Sequence, residues 1–219
     1  MLRFATILFF ALGFSVNPAF ADVPRIALVI GNSSYETAPL VNPKNDARLM
    51  AETLRELNFE VIEIIDASQR TMKRAVRDFG KKLKAAGKDT VAVFYYAGHG
   101  VEVKGENFRI PVDAQIESEG DVDIEAVSAP AILSTMEHAG AAVNFIILDA
   151  CRDNPYATDF RSGTRGLSRM DAPKGSLVAY STSPGSVAAD GRGKYSPYTL
   201  ALSREMKKPN VQVETMLRQ

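Results

Sequence analysis

The chain alternates between short apolar runs and amphipathic segments. Largely apolar runs at residues 25–31, 89–96 and 143–148 are too short for helices and are typical of strands buried on both faces. Elsewhere apolar residues recur every three or four positions, which predicts helices with one buried face. One such helix follows Asn42, a capping residue, and has Pro43 at its first position. Another lies between Ser68 and Gly87.

Weaker patterns complete the alternation. The further predicted elements are a strand at residues 59–65, a hairpin at 101–110, a short helix at 131–138, a strand at 176–180 and a helix after Ser196-Pro197. Residues 111–130 are acidic and are expected to be irregular. Together these elements predict an α/β fold with a mostly parallel sheet and helices on both faces.

The candidate catalytic and binding residues lie at the carboxyl ends of the predicted strands. In open parallel sheets the functional crevice lies beyond these ends. The loop after Gly31, the Gly98-His99-Gly100 turn, the end of the strand at Cys151 and the loop at residues 181–190 should therefore lie together. His99 and Cys151, although distant in sequence, are expected to face each other across neighbouring strand ends.

Cys151 is the only cysteine of the chain and follows a buried strand directly. A free cysteine often acts as a small apolar core residue, but the charged neighbours Asp149, Arg152 and Asp153 favour a nucleophile. A nearby imidazole, here His99, would take the thiol proton and return one to the leaving amine. The backbone N–H groups of Gly100 and Cys151 are the candidate oxyanion donors.

The two histidines are interpreted differently. A purely structural loop histidine remains the alternative for His99. His138 lies at the predicted end of a helix, where an imidazolium complements the helix dipole, and a structural role is favoured for it.

The N-terminus has the pattern of a secretory signal. Met1-Leu2-Arg3 precedes an apolar run at residues 4–16 and the small-residue site Ala19-Phe20-Ala21. This predicts a signal peptide at residues 1–21 and a single domain at 22–219, exported to a bacterial periplasm or beyond. The apolar run is short for a membrane span, so no stable span is expected after cleavage, with an uncleaved anchor as the alternative.

An apolar pattern that starts at residue 211 does not finish by Gln219. It predicts that the natural chain continues or that its last helix is incomplete.

Composition narrows the function. Lys and Arg number 26, as do Asp and Glu, so there is no electrostatic case for nucleic acid. One cysteine and two histidines do not form a metal site, and no cofactor is predicted. The acidic residues 117–125 offer oxygen ligands for calcium but lack the glycine-centred EF-hand loop. Gly31-Asn32-Ser33-Ser34 lacks the glycine pattern and lysine of nucleotide-binding loops, which disfavours a nucleotide-binding protein.

Two segments resemble the caspase-like cysteine peptidases. Tyr96-Ala-Gly-His-Gly100 and Asp149-Ala-Cys-Arg-Asp153 place the histidine 52 positions before the cysteine. A caspase signature likewise has Ala-Cys with a histidine about 50 residues upstream. The resemblance runs from about Arg25 to the end of the chain and is closest to the bacterial branch near metacaspases and paracaspases. It implies a caspase-like three-layer sandwich and a Cys-His dyad that hydrolyses peptide bonds.

Departures from true caspases bear on specificity. Caspases have Gln where this chain has Asp149 and Gly where it has Asp153. Metacaspases and paracaspases are similar to this chain at Asp149 and cleave after Arg or Lys. A carboxylate beside the nucleophile would attract a guanidinium, as a bidentate pair, and repel an aspartate. Asp46 falls where these families place a second pocket acid, although a first-turn aspartate also complements a helix dipole. Asp190 is a third candidate, with a turn residue as the alternative.

The sequence thus predicts an exported endopeptidase that takes peptide or protein substrates with Arg or Lys before the scissile bond. The competing hypothesis is a catalytically silent caspase-like module for protein interaction. The basic loop at residues 153–174 contains Arg161, Arg165 and Arg169. Self-cleavage there is one hypothesis, and a solvated loop is the other.

Overall fold

The computed structural model describes residues 23–150, 167–182 and 193–216. The strands are β1 (Arg25–Gly31), β2 (Glu60–Ile65), β3 (Val91–Gly98), β4 (Gly100–Val103), β5 (Glu106–Arg109), β6 (Val127–Ser128), β7 (Val143–Ala150) and β8 (Ser176–Tyr180). The helices are α1 (Pro43–Glu56), α2 (Gln69–Ala86), α3 (Val122–Glu125), α4 (Ala129–Ala139), α5 (Pro197–Glu205) and α6 (Val213–Met216). The predicted signal peptide at residues 1–21 and the site residues Cys151 and Asp190 lie outside the described residues.

Five strands form a parallel sheet in the order β2-β1-β3-β7-β8. The connection from β1 to β2 runs to one side of β1, and the next connection returns across it to β3. Because parallel crossovers are right-handed, this reversal places α1 and α2 on opposite faces. Helices α1 and α5 cover one face, whereas α2 and α4 cover the other. The predicted three-layer α/β fold is confirmed.

Helix α2 shows why the sequence forms these elements. The Ser68 Oγ accepts a hydrogen bond from the Thr71 N–H at 3.2 Å, and Gly87, with φ +94°, ends the helix. The apolar stripe is buried, with Met72 and Phe79 fully enclosed. Burial of each such side chain contributes roughly 1.5–3 kcal/mol. The predicted limits of α2 are confirmed.

The start of α1 differs from prediction in one respect. Pro43 occupies the first helical position, but the Asn42 side chain makes no capping hydrogen bond. A capping residue is typically extended, which directs its side chain to the first N–H groups. Asn42 instead has helical backbone angles of φ −90° and ψ −29°.

A second, antiparallel sheet has the order β4-β5-β6. The predicted hairpin forms β4 and β5. The prediction that residues 111–130 are irregular is wrong in part, because they include a 3₁₀ turn at Glu119–Asp121, α3 and β6. Buried Val122 packs in the same cluster as the hairpin, and the Asp121 carboxylate accepts a hydrogen bond from the Ser118 N–H at 2.8 Å.

The crevice of the main sheet lies at the carboxyl ends of β1 and β3. These neighbouring strands are followed by connections that pack on opposite faces, which defines a topological switch point. The loop at residues 32–42 leaves β1 there, and His99 follows β3. Among the described helices, none has the length and apolarity needed to cross a membrane.

Candidate active site

Strand register brings the residues that directly precede the two predicted catalytic positions to neighbouring strand ends. Asp149 pairs with Ala97, and Ala150 pairs with Gly98. His99 is the next residue after Gly98, just as Cys151 is the next residue in sequence after Ala150. Gly98 has φ +151°, and a Cβ there would lie 2.6 Å from the Tyr35 Oη. Glycine is therefore required where the chain turns out of β3.

The backbone of His99 is held on both sides. Its N–H donates to the Tyr35 Oη at 2.9 Å. Its carbonyl accepts from the Ile110 N–H at 3.1 Å and lies 2.9 Å from the Tyr96 hydroxyl, which donates to it. Burial raises the pKa of Tyr96 to about 12, so this hydroxyl keeps its proton at neutral pH. These contacts fix the direction from which the imidazole leaves the chain.

The imidazole itself is oriented by a backbone carbonyl. His99 is only 2% exposed, and its Nε2 lies 2.7 Å from the Ala38 oxygen. A carbonyl oxygen only accepts, so Nε2 carries a proton and the basic nitrogen of the neutral ring is Nδ1. The Tyr35 ring packs against the imidazole at a centroid distance of 4.5 Å.

The loop that supplies Tyr35 and Ala38 is anchored to the end of β2. The Asp66 carboxylate accepts hydrogen bonds from the backbone N–H groups of Ser33 and Ser34, at 2.7 and 2.9 Å, and from the Ser34 hydroxyl at 2.7 Å. Partial burial acts to raise the pKa of Asp66, but these hydrogen bonds outweigh it and the pKa is lowered. Ala38 has a left-handed φ of 54°, which is strained for alanine. The anchored loop therefore maintains the carbonyl that orients His99.

Two of the predicted acids converge beside the same strand ends. Asp149, at the end of β7, is 1% exposed, and Asp46, in the first turn of α1, is fully buried. The Asp46 Oδ1 accepts from the Ser196 N–H at 2.8 Å. The Asp149 Oδ2 accepts from the Ser196 hydroxyl and, at 2.8 Å, from the Thr199 hydroxyl. Ser196 thus joins both carboxylates to the start of α5.

The remaining oxygen of Asp149 has no hydrogen-bond donor among the described residues. Its Oδ1 is buried and accepts no hydrogen bond from the described residues. Burial and then the Asp149 charge raise the pKa values of Tyr95 and Tyr198 well above that of an ordinary phenol. A buried carboxylate is costly unless it is paired, so a cation bound at Oδ1 would be strongly favoured.

The amide of Gly100 is directed away from the hairpin. Gly100 pairs with Arg109, and the His99 carbonyl accepts from the Ile110 N–H on the flanking residues. This is the pattern of a non-hydrogen-bonded antiparallel pair, in which the Gly100 N–H points away from β5. A Cβ at this position would lie 2.8 Å from the Arg109 Nη1 and 3.3 Å from the Ala150 Cβ.

Arg109 places a positive charge next to Gly100. It is fully buried, its Nη1 donates to the Phe108 carbonyl at 3.0 Å, and its Cζ lies 5.7 Å from the centre of the Tyr96 ring. A buried guanidinium favours negative charge nearby. Its position in a short strand gave no sequence signal for this role.

The other predicted positions are placed as follows. His138 lies in the last turn of α4, and its Nδ1 is 2.7 Å from the Ser134 carbonyl. Within residues 23–150, 167–182 and 193–216, no three His, Cys, Asp or Glu side chains are grouped to hold a metal ion. Cys151 and Asp190 are outside the described part of the chain. Of the described candidates, Asp46 and Asp149 are joined through Ser196, and Asp149 pairs with Ala97, two residues before His99.

Comparison of the sequence with known protein families identifies the family to which this fold belongs. The family model described as the caspase domain matches residues 24–219. The chain belongs to the caspase domain family, and the predicted resemblance to caspase-like peptidases is confirmed.

Two curated relatives are similar to part of the chain. It is 33% identical over 129 residues to mucosa-associated lymphoid tissue lymphoma translocation protein 1 of Homo sapiens, and 34% identical over 129 residues to the homolog of Mus musculus. In each case the match covers 58% of this chain and 15% of the relative. The chain therefore spans a small part of these relatives. Together the comparisons support a caspase-like protease and do not favour a catalytically silent module.

Proposed function

We propose that the protein is a cysteine endopeptidase that hydrolyses peptide bonds after Arg or Lys, with Cys151 as nucleophile and His99 as general base and acid. The observation that carries the proposal is the pairing of Gly98 with Ala150. His99 and Cys151 follow Gly98 and Ala150 directly in sequence, and the carboxyl edge is where open parallel sheets place their sites.

The orientation of His99 suits the proposed chemistry. With Nε2 donating to the Ala38 carbonyl at 2.7 Å, Nδ1 accepts the Cys151 thiol proton, and the thiolate attacks the substrate carbonyl carbon. The protonated imidazole then donates a proton to the leaving amine as the C–N bond breaks. Water activated by the neutral imidazole hydrolyses the resulting thioester and restores the thiol. The Ala38 carbonyl stabilises the imidazolium that exists between proton uptake from the thiol and proton donation to the amine.

The oxyanion of the tetrahedral intermediate requires donors. The Gly100 N–H, which points away from β5, is the first proposed donor, and the N–H of Cys151 is the second. Arg109, buried beside Gly100, adds a favourable electrostatic contribution.

The acids supply the proposed specificity. Asp149 and Asp46 are both buried and joined through Ser196. A substrate guanidinium or ammonium would neutralise their charge, whereas an aspartate side chain would be repelled. Asp190 is the proposed third acid of this pocket.

The setting of the enzyme is also part of the proposal. We expect export to a periplasm or beyond after removal of residues 1–21, peptide or protein substrates, and activity without a cofactor. Calcium activation and self-cleavage within residues 153–174 are further hypotheses. Self-cleavage is tested by measuring the intact masses of wild type and Cys151→Ala, because identical masses would rule it out.

The test is hydrolysis of matched fluorogenic peptides that differ only in having Arg, Lys or Asp before the reporter. Wild type is expected to cleave the Arg and Lys peptides and to leave the Asp peptide intact. Cys151→Ala should cleave none of the three. A preference for Asp would overturn the acidic pocket, and full activity of Cys151→Ala would overturn the nucleophile.

A further inference from the structure

The two oxygens of the Asp149 carboxylate have different environments. Oδ2 accepts two hydroxyl hydrogen bonds, from Ser196 and Thr199. Oδ1 accepts none from the described residues. This asymmetry means that substrate meets Asp149 through one oxygen, so the bidentate pairing of a guanidinium with Asp149 expected from the sequence is not available while Oδ2 is occupied.

The direction of each hydrogen bond on Oδ2 follows from simple proton counting. The Thr199 hydroxyl has one proton and gives it to Asp149, so at its 2.5 Å contact with Tyr95 it accepts and the phenol donates. Burial and the Asp149 charge raise the pKa of Tyr95, which keeps the phenol protonated. The Ser196 hydroxyl likewise donates to Asp149 and accepts from the Thr199 N–H at 3.0 Å.

The first turn of α5 is therefore built around Asp149. Ser196 and Thr199 are 1% and 0% exposed, so water does not compete for these contacts. The Ser196 N–H also binds Asp46, which ties the position of one acid to that of the other.

We propose that Ser196 and Thr199 are specificity-positioning residues: from α5 they occupy Oδ2 of Asp149, fix the carboxylate, and present Oδ1 to the basic side chain of the substrate. The inference rests on the proposed function and deepens it. Neither residue touches the reacting atoms, so their loss lowers recognition of the positive charge and leaves the chemical step unchanged.

The experiment compares Thr199→Val with Thr199→Ser. Valine keeps the shape of threonine but removes the hydroxyl, whereas serine keeps the hydroxyl and removes the methyl group. Each protein is assayed on two peptides that differ only in Arg or its uncharged analogue citrulline before the scissile bond. The readout is the ratio of kcat/KM for Arg to that for citrulline, which a general loss of folded or active enzyme does not change.

Thr199→Val is expected to lower this ratio about tenfold, as loss of a hydrogen bond to a charged group implies, mainly through KM for the Arg peptide. Thr199→Ser should retain the wild-type ratio. Ser196→Ala should resemble Thr199→Val. Equal ratios in Thr199→Val and wild type, or a larger loss in Thr199→Ser than in Thr199→Val, would overturn the inference while the peptidase proposal stands.

Failure of the peptidase proposal is distinguishable. If wild type cleaves neither peptide, binding of agmatine, an alkyl guanidinium, is measured by calorimetry with Cys151→Ala alone and combined with Thr199→Val. Weaker binding in the double variant supports the positioning role without turnover. Equal binding in both, or no binding in either, overturns it.

Discussion

The two halves of the candidate site are held by opposite kinds of contact. On the imidazole side (Tyr35, Ala38 and His99), the His99 ring donates to a carbonyl that fixes which nitrogen is basic. On the carboxylate side (Asp46, Asp149, Ser196 and Thr199), the acids accept hydrogen bonds from hydroxyl and amide donors. In the proposed mechanism, one side specifies where a proton moves and the other where a cation binds. Chemistry and selectivity should therefore be separable by mutation.

The largest effect on activity is expected from His99→Gln, which removes the imidazole. Glutamine cannot act as a base, so kcat/KM should fall about a thousandfold, in the range attributed to general acid–base catalysis. The Arg and citrulline peptides should be affected equally, because the imidazole side does not recognise charge. Steady-state hydrolysis of both peptides measures this.

The matched control is His138→Gln, which changes the exposed histidine in the last turn of α4. It should retain wild-type rates. A His99→Gln enzyme that retained more than a tenth of wild-type activity would exclude His99 as the general base.

The counterpart on the carboxylate side is Asp149→Asn. Asparagine keeps the shape but removes the charge, so kcat/KM for the Arg peptide should fall about 10- to 100-fold, as for a lost charged hydrogen bond. Hydrolysis of the citrulline peptide should change little. The exposed Asp89→Asn is the control. Equal losses on both peptides would mean that Asp149 acts in the chemistry, and the division between the two sides would fail.

Side-chain patterns in the sequence predicted part of each side of the candidate site, whereas backbone groups left no such pattern. The place of His99 at a strand end was predictable, because it follows the apolar run of β3 closely, whereas the matching prediction for Cys151 lies outside the described residues. Asp46 and Asp149 were predictable as charged residues at the same edge. The Ala38 carbonyl was not, since every residue has a carbonyl and no side-chain pattern marks the one that binds a ring nitrogen.

The same reasoning applies to the fold. Ser68 and Gly87 limit α2 through local backbone preferences, which a sequence records directly. Strand β6 has only two residues, Val127 and Ser128, so no alternation of period two is visible and its pairing with β5 depends on tertiary contacts. Ser196 was anticipated as the cap of α5, but its second bond, to Asp149, arises only from the approach of β7.

A smaller effect is expected from Tyr35→Phe, which tests how the imidazole side is positioned. The ring that packs on His99 is retained, but the oxygen that accepts the His99 N–H at 2.9 Å is lost. Leaving this buried N–H unpaired should destabilise the protein by about 1–3 kcal/mol. We expect kcat to fall about fivefold on both peptides as the imidazole moves from its productive position.

Urea denaturation measures the loss of stability, and steady-state kinetics measure the fall in kcat. The control is Tyr195→Phe, at a half-buried tyrosine. Selective loss of Arg hydrolysis would contradict the assignment of Tyr35 to the imidazole side.

The smallest effect is expected from Asp66→Asn, which acts on the imidazole side at one remove. The hydrogen bonds that lower the pKa of Asp66 also hold the loop of Tyr35 and Ala38. A carboxyl whose pKa is lowered by folding contributes stability above its unfolded-state pKa, and that contribution disappears as the pH falls through the folded-state pKa. Wild type should therefore melt higher than Asp66→Asn at pH 7, and the difference should shrink below about pH 3.8. Thermal unfolding from pH 7 to pH 3 measures this difference in melting temperature. In addition, kcat at pH 7 should fall about two- to threefold on both peptides, because the carbonyl that orients His99 is held less firmly. A melting difference that stayed constant from pH 7 to pH 3 would show that the Asp66 charge does not anchor the loop.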